Sequence, residues 1–252
     1  MPVLSVDLAC RSWSDLGVVL LEQKGPQTDP RIVCEIFRWQ DAGSPSVVEL
    51  AIRLNTLCLE RGVNILMLDG PQAWKSEDNG YPFCRASERE LNTSAKTGLP
   101  GTVLPGTYER FVGFCLALYD ALGRLGWQRL ATRERLADHT DGPPRRILVE
   151  SYPHAAWKSL GIPSLPAKRK CRVSDLADAY TALTALLPIT TSQPPNHDQL
   201  QAIVGGLPGL AIEQRNETAA RIVGQPPRRE GGHWREGFIA VPLASTSGST
   251  KG

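Results

Sequence analysis

The sequence predicts an α/β fold, a mixed β-sheet flanked by helices on both faces with an irregular insertion after the fourth strand. Three observations carry this. Short runs rich in Val, Ile and Leu recur at the start of the chain, where VLSVDLA, LGVVLLE and RIVCEIFRW are separated by turn-forming residues. The period then turns helical in SVVELAIRLNTLCLERG, ahead of the near-continuous apolar run VNILMLD. Beyond it, helical patterns alternate with one more strand, RILVE.

In order, Val3–Ala9, Leu16–Glu22 and Arg31–Trp39 read as strands that can form a meander. Val47, Leu50, Leu54 and Leu57 recur at helical spacing, and Gly62 is a C-cap. Val63–Asp69 has the pattern of a central strand covered on both faces, reached through that helical crossover. Gly70–Pro71 stops it, and residues 71–106 form the insertion, with scattered Gly and Pro and a short helix at Ser87–Asn92. A helix over Tyr108–Leu125 presents Phe111, Cys115, Leu118 and Leu122 on one face. The PPRR break (Pro143–Arg146) leads into the strand that holds Glu150, followed by a short helix at His154–Gly161 and the basic loop PSLPAKRKCR. Val173–Pro188 is a helix ended by its proline. Asn196 caps a further helix, which Gly205–Gly206 and Pro208 are expected to shorten or bend. GFIAVPL (Gly237–Leu243) reads as a strand or an extended tail. The expectation is one domain over residues 1–245 and a frayed tail over 246–252.

The bulk composition narrows the function classes. Lys and Arg number 28 against 26 Asp and Glu, so any nucleic-acid partner must be met by a local positive patch. The six cysteines lie far apart without a CxxC pair, and Cys34 and Cys58 fall in apolar runs, which points to reduced thiols and a cytoplasmic setting. MPVLSVDLAC lacks the basic start of a signal peptide, and no apolar run reaches the length of a membrane span.

Four acids stand where apolar strands or helices would not place them. Asp7 interrupts VLSVDLA, Asp69 ends VNILMLD, Glu150 ends RILVE, and Asp198 opens a helix. Acids at strand ends project into the crevice where α/β sheets bind ligands. Gathered together they repel one another and hold protons, unless a hard divalent cation such as Mg²⁺ or Mn²⁺ is shared among them. The bland readings are a turn-forming or capping Asp, a helix-dipole role for Asp198, and a structural pair between Glu150 and Arg145 or Arg146.

These residues carry a resemblance. VDLA on an early strand, LDGP after a central strand, the Arg-rich FCRASERELN, ESYP and the late HDQLQAI resemble the DUF429 family, predicted nucleases with an RNase H-like fold. The likeness runs from Val3 to about Leu243. It departs where Asp198 is followed by Gln199 and where the first Asp lacks following glycines. The resemblance implies an RNase H-like sheet and Asp7, Asp69, Glu150 and Asp198 as catalytic, metal-ligating acids. It also implies Mg²⁺ or Mn²⁺ as cofactor and nucleic acid as partner if the chain is active. Arg85, Arg89, Lys168 and Arg172 become candidate substrate cations, with Arg169 and Lys170 beside them. Tyr152, Trp74 and Trp157 are candidates for base stacking, against core packing as the commoner use of each.

The expected function is a divalent-metal-dependent nuclease or related phosphodiester hydrolase. The alternatives are an inactive nucleic-acid or protein-binding module on the same fold and, more distantly, an ASKHA-type sugar kinase or ATPase. The last wants a glycine-bearing phosphate hairpin after the first Asp, where DLACRSWSD has Ser12 and Ser14 but no glycine.

Overall fold

The structure is a computed structural model that describes residues 1–26, 29–133 and 145–244. Nine strands form one mixed sheet in the order β7-β3-β2-β1-β4-β6-β9-β8, with β5 (Gln128–Arg129) paired to β6. The first three strands, β1 (Val3–Asp7), β2 (Gly17–Lys24) and β3 (Arg31–Phe37), are the expected antiparallel meander. Helix α1 (Val47–Arg61) crosses over to β4 (Ile65–Asp69), which lies parallel to β1, and β6 (Ile147–Ser151) lies parallel to β4. Ser46 caps α1 by accepting from the Glu49 amide, and Gly62 closes it in the left-handed region. This meander followed by parallel crossovers is the RNase H-like mixed sheet.

Each strand splits its side chains between two apolar layers. Val3, Ile65, Met67 and Val149 face the layer built with α6 (His197–Gln214), whereas Leu4, Val6, Leu66, Leu68 and Leu148 face α1 and α3 (Glu109–Arg124). Cys34 and Cys58 lie one in each layer, and burial pushes both thiols up to about 12. Between β4 and α3 runs the irregular insertion, whose one regular element is α2 (Ala86–Glu90). Helices α4 (Pro153–Ser159) and α5 (Val173–Leu186) precede α6. Among the described residues no helix is long and apolar enough to cross a membrane.

Helix α6 departs from expectation, since it runs 18 residues without interruption and holds Pro208 inside it. Its glycines serve contact with the sheet. A Cβ at Gly206 would sit 2.5 Å from Leu21 Cδ1 and 2.8 Å from Ser5 Cβ, and one at Gly209 would meet Val3 and Met67 at 2.6 and 2.8 Å. Nearly every residue from Asp198 to Ile212 is buried, which offsets a propensity cost of about 1 kcal/mol per glycine and about 3 for the proline.

Two further differences concern strands. The segment after α5 contributes β7 (Ile189–Thr191), a parallel edge strand on β3. GFIAVPL is the second half of β9 (His233–Pro242), paired with β8 (Ala220–Glu230) through a Gly231–Gly232 turn in which both residues have positive φ. Pro143 and Pro144 and the 246–252 tail lie outside the described residues.

Replacing Gly206 by Ala is expected to destabilise the fold by about 1–3 kcal/mol, because Ser5 Cβ belongs to a central strand and cannot yield. Gly113→Ala, where a Cβ meets nothing within 4 Å, is the control. Urea unfolding of the two variants checks the difference.

Candidate acidic centre

Asp7 and Asp69 end neighbouring central strands and are register partners. Strand alternation turns both toward α6, as it does Val3, Ser5, Ile65 and Met67. Their carboxyls stand close enough to interact directly, and each is pushed upward. Burial, followed by the charges of Asp69 and Asp198, raises Asp7 well above the ordinary carboxylate range. Burial also raises Asp69 to about 7, with the Glu150 charge adding to it, while the hydrogen bond from Asp7 and the charge of Lys96 oppose the shift.

Asp198 reaches the same place from above. It stands in the first turn of α6, behind a capping box in which Asn196 and Gln199 satisfy each other's backbone amides. The backbone of α6 meets β2 so closely here that a Cβ on Gly17, the register partner of Asp7, would lie 2.1 Å from the Asp198 carbonyl oxygen. Only glycine fits at that position. Asp198 is buried and accepts from Lys168 Nζ, which also donates to Asp15 at 2.8 Å, and His197 Nδ1 lies 3.2 Å from its other oxygen. The structure thus pairs Asp7 with Asp69 and Asp198 with Lys168, and the charges of the second pair act on Asp7.

Glu150 goes elsewhere. Its register partner on β4 is Leu68, so it projects from the opposite face of the sheet, the one that Leu148 and Leu66 share with α3. There Arg85 Nη1 and Nη2 each donate to one of its oxygens at 2.7 Å, and the Gln72 amide donates at 3.0 Å. This corrects two expectations. The partner of Glu150 is neither Arg145 nor Arg146, since Arg146 donates to Asn55 and to the Leu125 carbonyl. Arg85 cannot face a substrate, because it is 1% exposed and both ends of its fork are spent on Glu150 and Glu88. Glu88 in turn accepts from the Arg85 and Lys96 amides. A further buried acid, Glu236, accepts from the Ser76 and Ala86 amides and from Asn79.

The remaining candidates divide by exposure. Arg89, Lys168, Arg169, Lys170 and Arg172 are exposed, the last four on the loop that carries Lys168 toward Asp198. Trp157 is fully buried in the core, and Tyr152 is half-buried with its hydroxyl accepting from Thr93. Sequence reasoning missed Lys96, whose ammonium lies 4.2 Å from the Tyr108 ring centroid and acts on Asp69. It also missed Asp15. Lys96 sits in an insertion without periodicity, so no pattern marked it.

Among the described residues no three His, Cys, Asp or Glu side chains stand gathered as a metal site. What exists is a pair of half-buried carboxyls at adjacent strand ends, both pushed above the ordinary carboxylate range, with the charge of Asp198 acting on Asp7. That oxygen-only set suits a hard dication, since Mg²⁺ commonly takes one or two carboxylates and completes its shell with water and phosphate oxygens.

Two predictions follow from this arrangement of charges. The folded chain keeps a proton on the Asp7–Asp69 pair that the unfolded chain releases near pH 4. Stability in chelator is therefore expected to fall as pH rises from about 4 through 7, and Asp69→Asn should reduce that fall. Urea unfolding at pH 5 and pH 8 measures both. Separately, Arg85→Ala should cost about 3–5 kcal/mol by stranding the buried Glu150, whereas Arg89→Ala should stay within about 0.5.

No protein-family model matches the chain, and no curated protein does. Among solved structures, the chain is similar to Thermus thermophilus RuvC, with 12% identity, a TM-score of 0.43, and coverage of 90% of this chain and 99% of that one. The T. thermophilus RuvC in complex with Holliday junction substrate is similar at 12% identity and a TM-score of 0.40, with the same coverage.

Proposed function

We propose that the chain is a divalent-metal-dependent phosphodiester hydrolase of the DUF429 type acting on nucleic acid, with Asp7, Asp69 and Asp198 as its acidic centre. The observation that carries this reading is the Asp7–Asp69 pair itself. Two carboxyls on adjacent central strands, both pushed above the ordinary carboxylate range, form an arrangement that costs stability at neutral pH unless a cation joins them. Asp7 and Asp69 would hold Mg²⁺ or Mn²⁺, and Asp198 would join them on leaving Lys168. Such an ion, when bound, supplies Lewis-acid polarisation of a phosphoryl oxygen and a water of lowered pKa.

The chain's own side chains supply the rest of the site. Lys168 and Lys96 bring positive charge from opposite sides, one from the loop before α5 and one from the insertion, so a phosphate would be attracted to a centre that is otherwise acidic. Arg89, Arg169, Lys170 and Arg172 are exposed and would make sequence-independent phosphate contacts. Glu150 has no ligating role in this reading, because both its oxygens are already bonded.

A second reading, a binding module without catalysis, is favoured by the engagement of Asp198 with Lys168 and His197, which leaves two free acids. Incubation with single- and double-stranded DNA and RNA in Mg²⁺ or Mn²⁺ separates the two. Cleavage by the wild type is expected, and Asp7→Asn should lower it by more than the ~10–100-fold that loss of an outer-shell partner costs. Cleavage that persists unchanged in Asp7→Asn would remove the hydrolase reading. Binding without cleavage would leave the module.

A further inference from the structure

Beside the acidic centre lies a cleft of about 310 Å³, lined by Arg11, Arg110, Tyr108, Phe111 and Asp15 among others. It joins the centre at three points. Ala9, Cys10 and Arg11 of its lining follow Asp7 in the chain with only Leu8 between. Asp15 accepts from the same Lys168 that holds Asp198. Tyr108 carries on its ring the Lys96 ammonium whose charge acts on Asp69.

The chemistry of the lining is consistent with a single ligand class. Asp15, the one acid named, is already bound to Lys168, so Arg11 and Arg110 leave the cleft positive. Arg110 is held in place, its Nη2 donating to the Cys10 carbonyl at 3.1 Å and to Ser44 Oγ at 3.4 Å. Tyr108 is 42% exposed and Phe111 half-buried, so an aromatic surface stands beside the guanidinium groups. A flat apolar group with an anion attached fits this pairing, and at this volume the cleft takes one such unit.

We propose that this cleft is a nucleotide subsite, which stacks one unpaired base on Tyr108 and Phe111 and holds the adjoining phosphate with Arg11 and Arg110. It rests on the hydrolase reading, and it assigns a substrate class within it. A base paired inside a continuous duplex cannot present its face to Tyr108, so the substrate is single-stranded or carries an unpaired nucleotide next to the scissile phosphate.

The test is fluorescence anisotropy with the full chain in chelator, using a labelled single-stranded oligonucleotide and a blunt duplex of equal length. The wild type is expected to bind the single strand more tightly. Tyr108→Ala should weaken that binding by about tenfold, while Tyr108→Phe, which keeps the ring, should not. Arg11→Ala should weaken it and lower the salt slope by about one phosphate. The duplex should respond to Arg11→Ala but not to Tyr108→Ala. Single-strand binding that is unchanged in both alanine variants overturns the subsite, as does absence of nucleic-acid binding by the wild type. The two proposals fail separately. An unchanged Tyr108→Ala alongside an inactive Asp7→Asn removes the subsite alone. A weakened Tyr108→Ala alongside undiminished cleavage in Asp7→Asn removes the acidic centre as the seat of hydrolysis and leaves the subsite standing.

Discussion

The structure depends on the close seating of α6 on the central strands. Glycines at 205, 206 and 209 present one bare face to Ser151, Ser5, Val3 and Met67, and Gly17 admits the first turn of the helix against β2. Both sides of the contact are small or slender, so the helix axis comes nearer the sheet than bulkier side chains would permit. The consequence is functional as well as structural. Asp198 is the second residue of α6, and its charge reaches Asp7 because Gly17 lets the first turn of the helix pack against β2 beside the end of β1. A larger residue at Gly17 would lift the helix and separate the third acid from the pair.

The second organising feature is ionic and lies on the other face of the sheet. Burying Glu150, Glu88 and Glu236 would be costly in isolation, and Arg85 with a set of backbone amides compensates them. Replacement by apolar residues of similar volume is often neutral for stability, so stability alone does not account for such a network. Its geometry offers an account. Glu150 fixes Arg85, Arg85 fixes Glu88, and Glu88 accepts from the Lys96 amide. An insertion almost without regular structure is thereby tied to the sheet, and Lys96 is delivered to the side of Asp69. Glu150 influences the acidic centre from behind, through its charge and through this chain of bonds.

How much of this the sequence disclosed follows from the range of each signal. The strands of the meander, the crossover helix and the strand-end acids are local patterns of period and interruption, and they stand where they were expected. Which face Glu150 takes is a matter of register. One residue separates it from Ser151, the partner of Asp69, and that single step moves its side chain to the opposite side of the sheet. Nothing local in RILVES records the register. The continuity of α6 was hidden because glycine and proline act as breakers when exposed, whereas here tertiary contact uses their missing side chains. The β8–β9 hairpin has a local signal in EGGHW, but QPPRRE before it is polar and proline-rich and does not read as a strand.

The two faces of the sheet show two ways of keeping a carboxylate near the end of a parallel strand. Glu150 is bound by a planar cation that fills both its oxygens, which removes its capacity for other partners. Among the described residues Asp7 and Asp69 have no such cation in contact, and their mutual charge and burial push both above the ordinary carboxylate range. Lys168 is tied to Asp15 and Asp198 and lowers Asp7 only through its charge, as Lys96 does Asp69. A fold built only for stability would gain by treating the second pair as it treats the first, with an arginine over it. The insertion supplies two arginines, Arg85 and Arg89, and Arg85 is committed to the opposite face. Leaving the pair on the α6 side without a bound guanidinium lowers stability as pH rises, and it keeps both carboxyls available to a cation. That asymmetry is the strongest physical argument that the acids of β1 and β4 are there to be joined by a ligand.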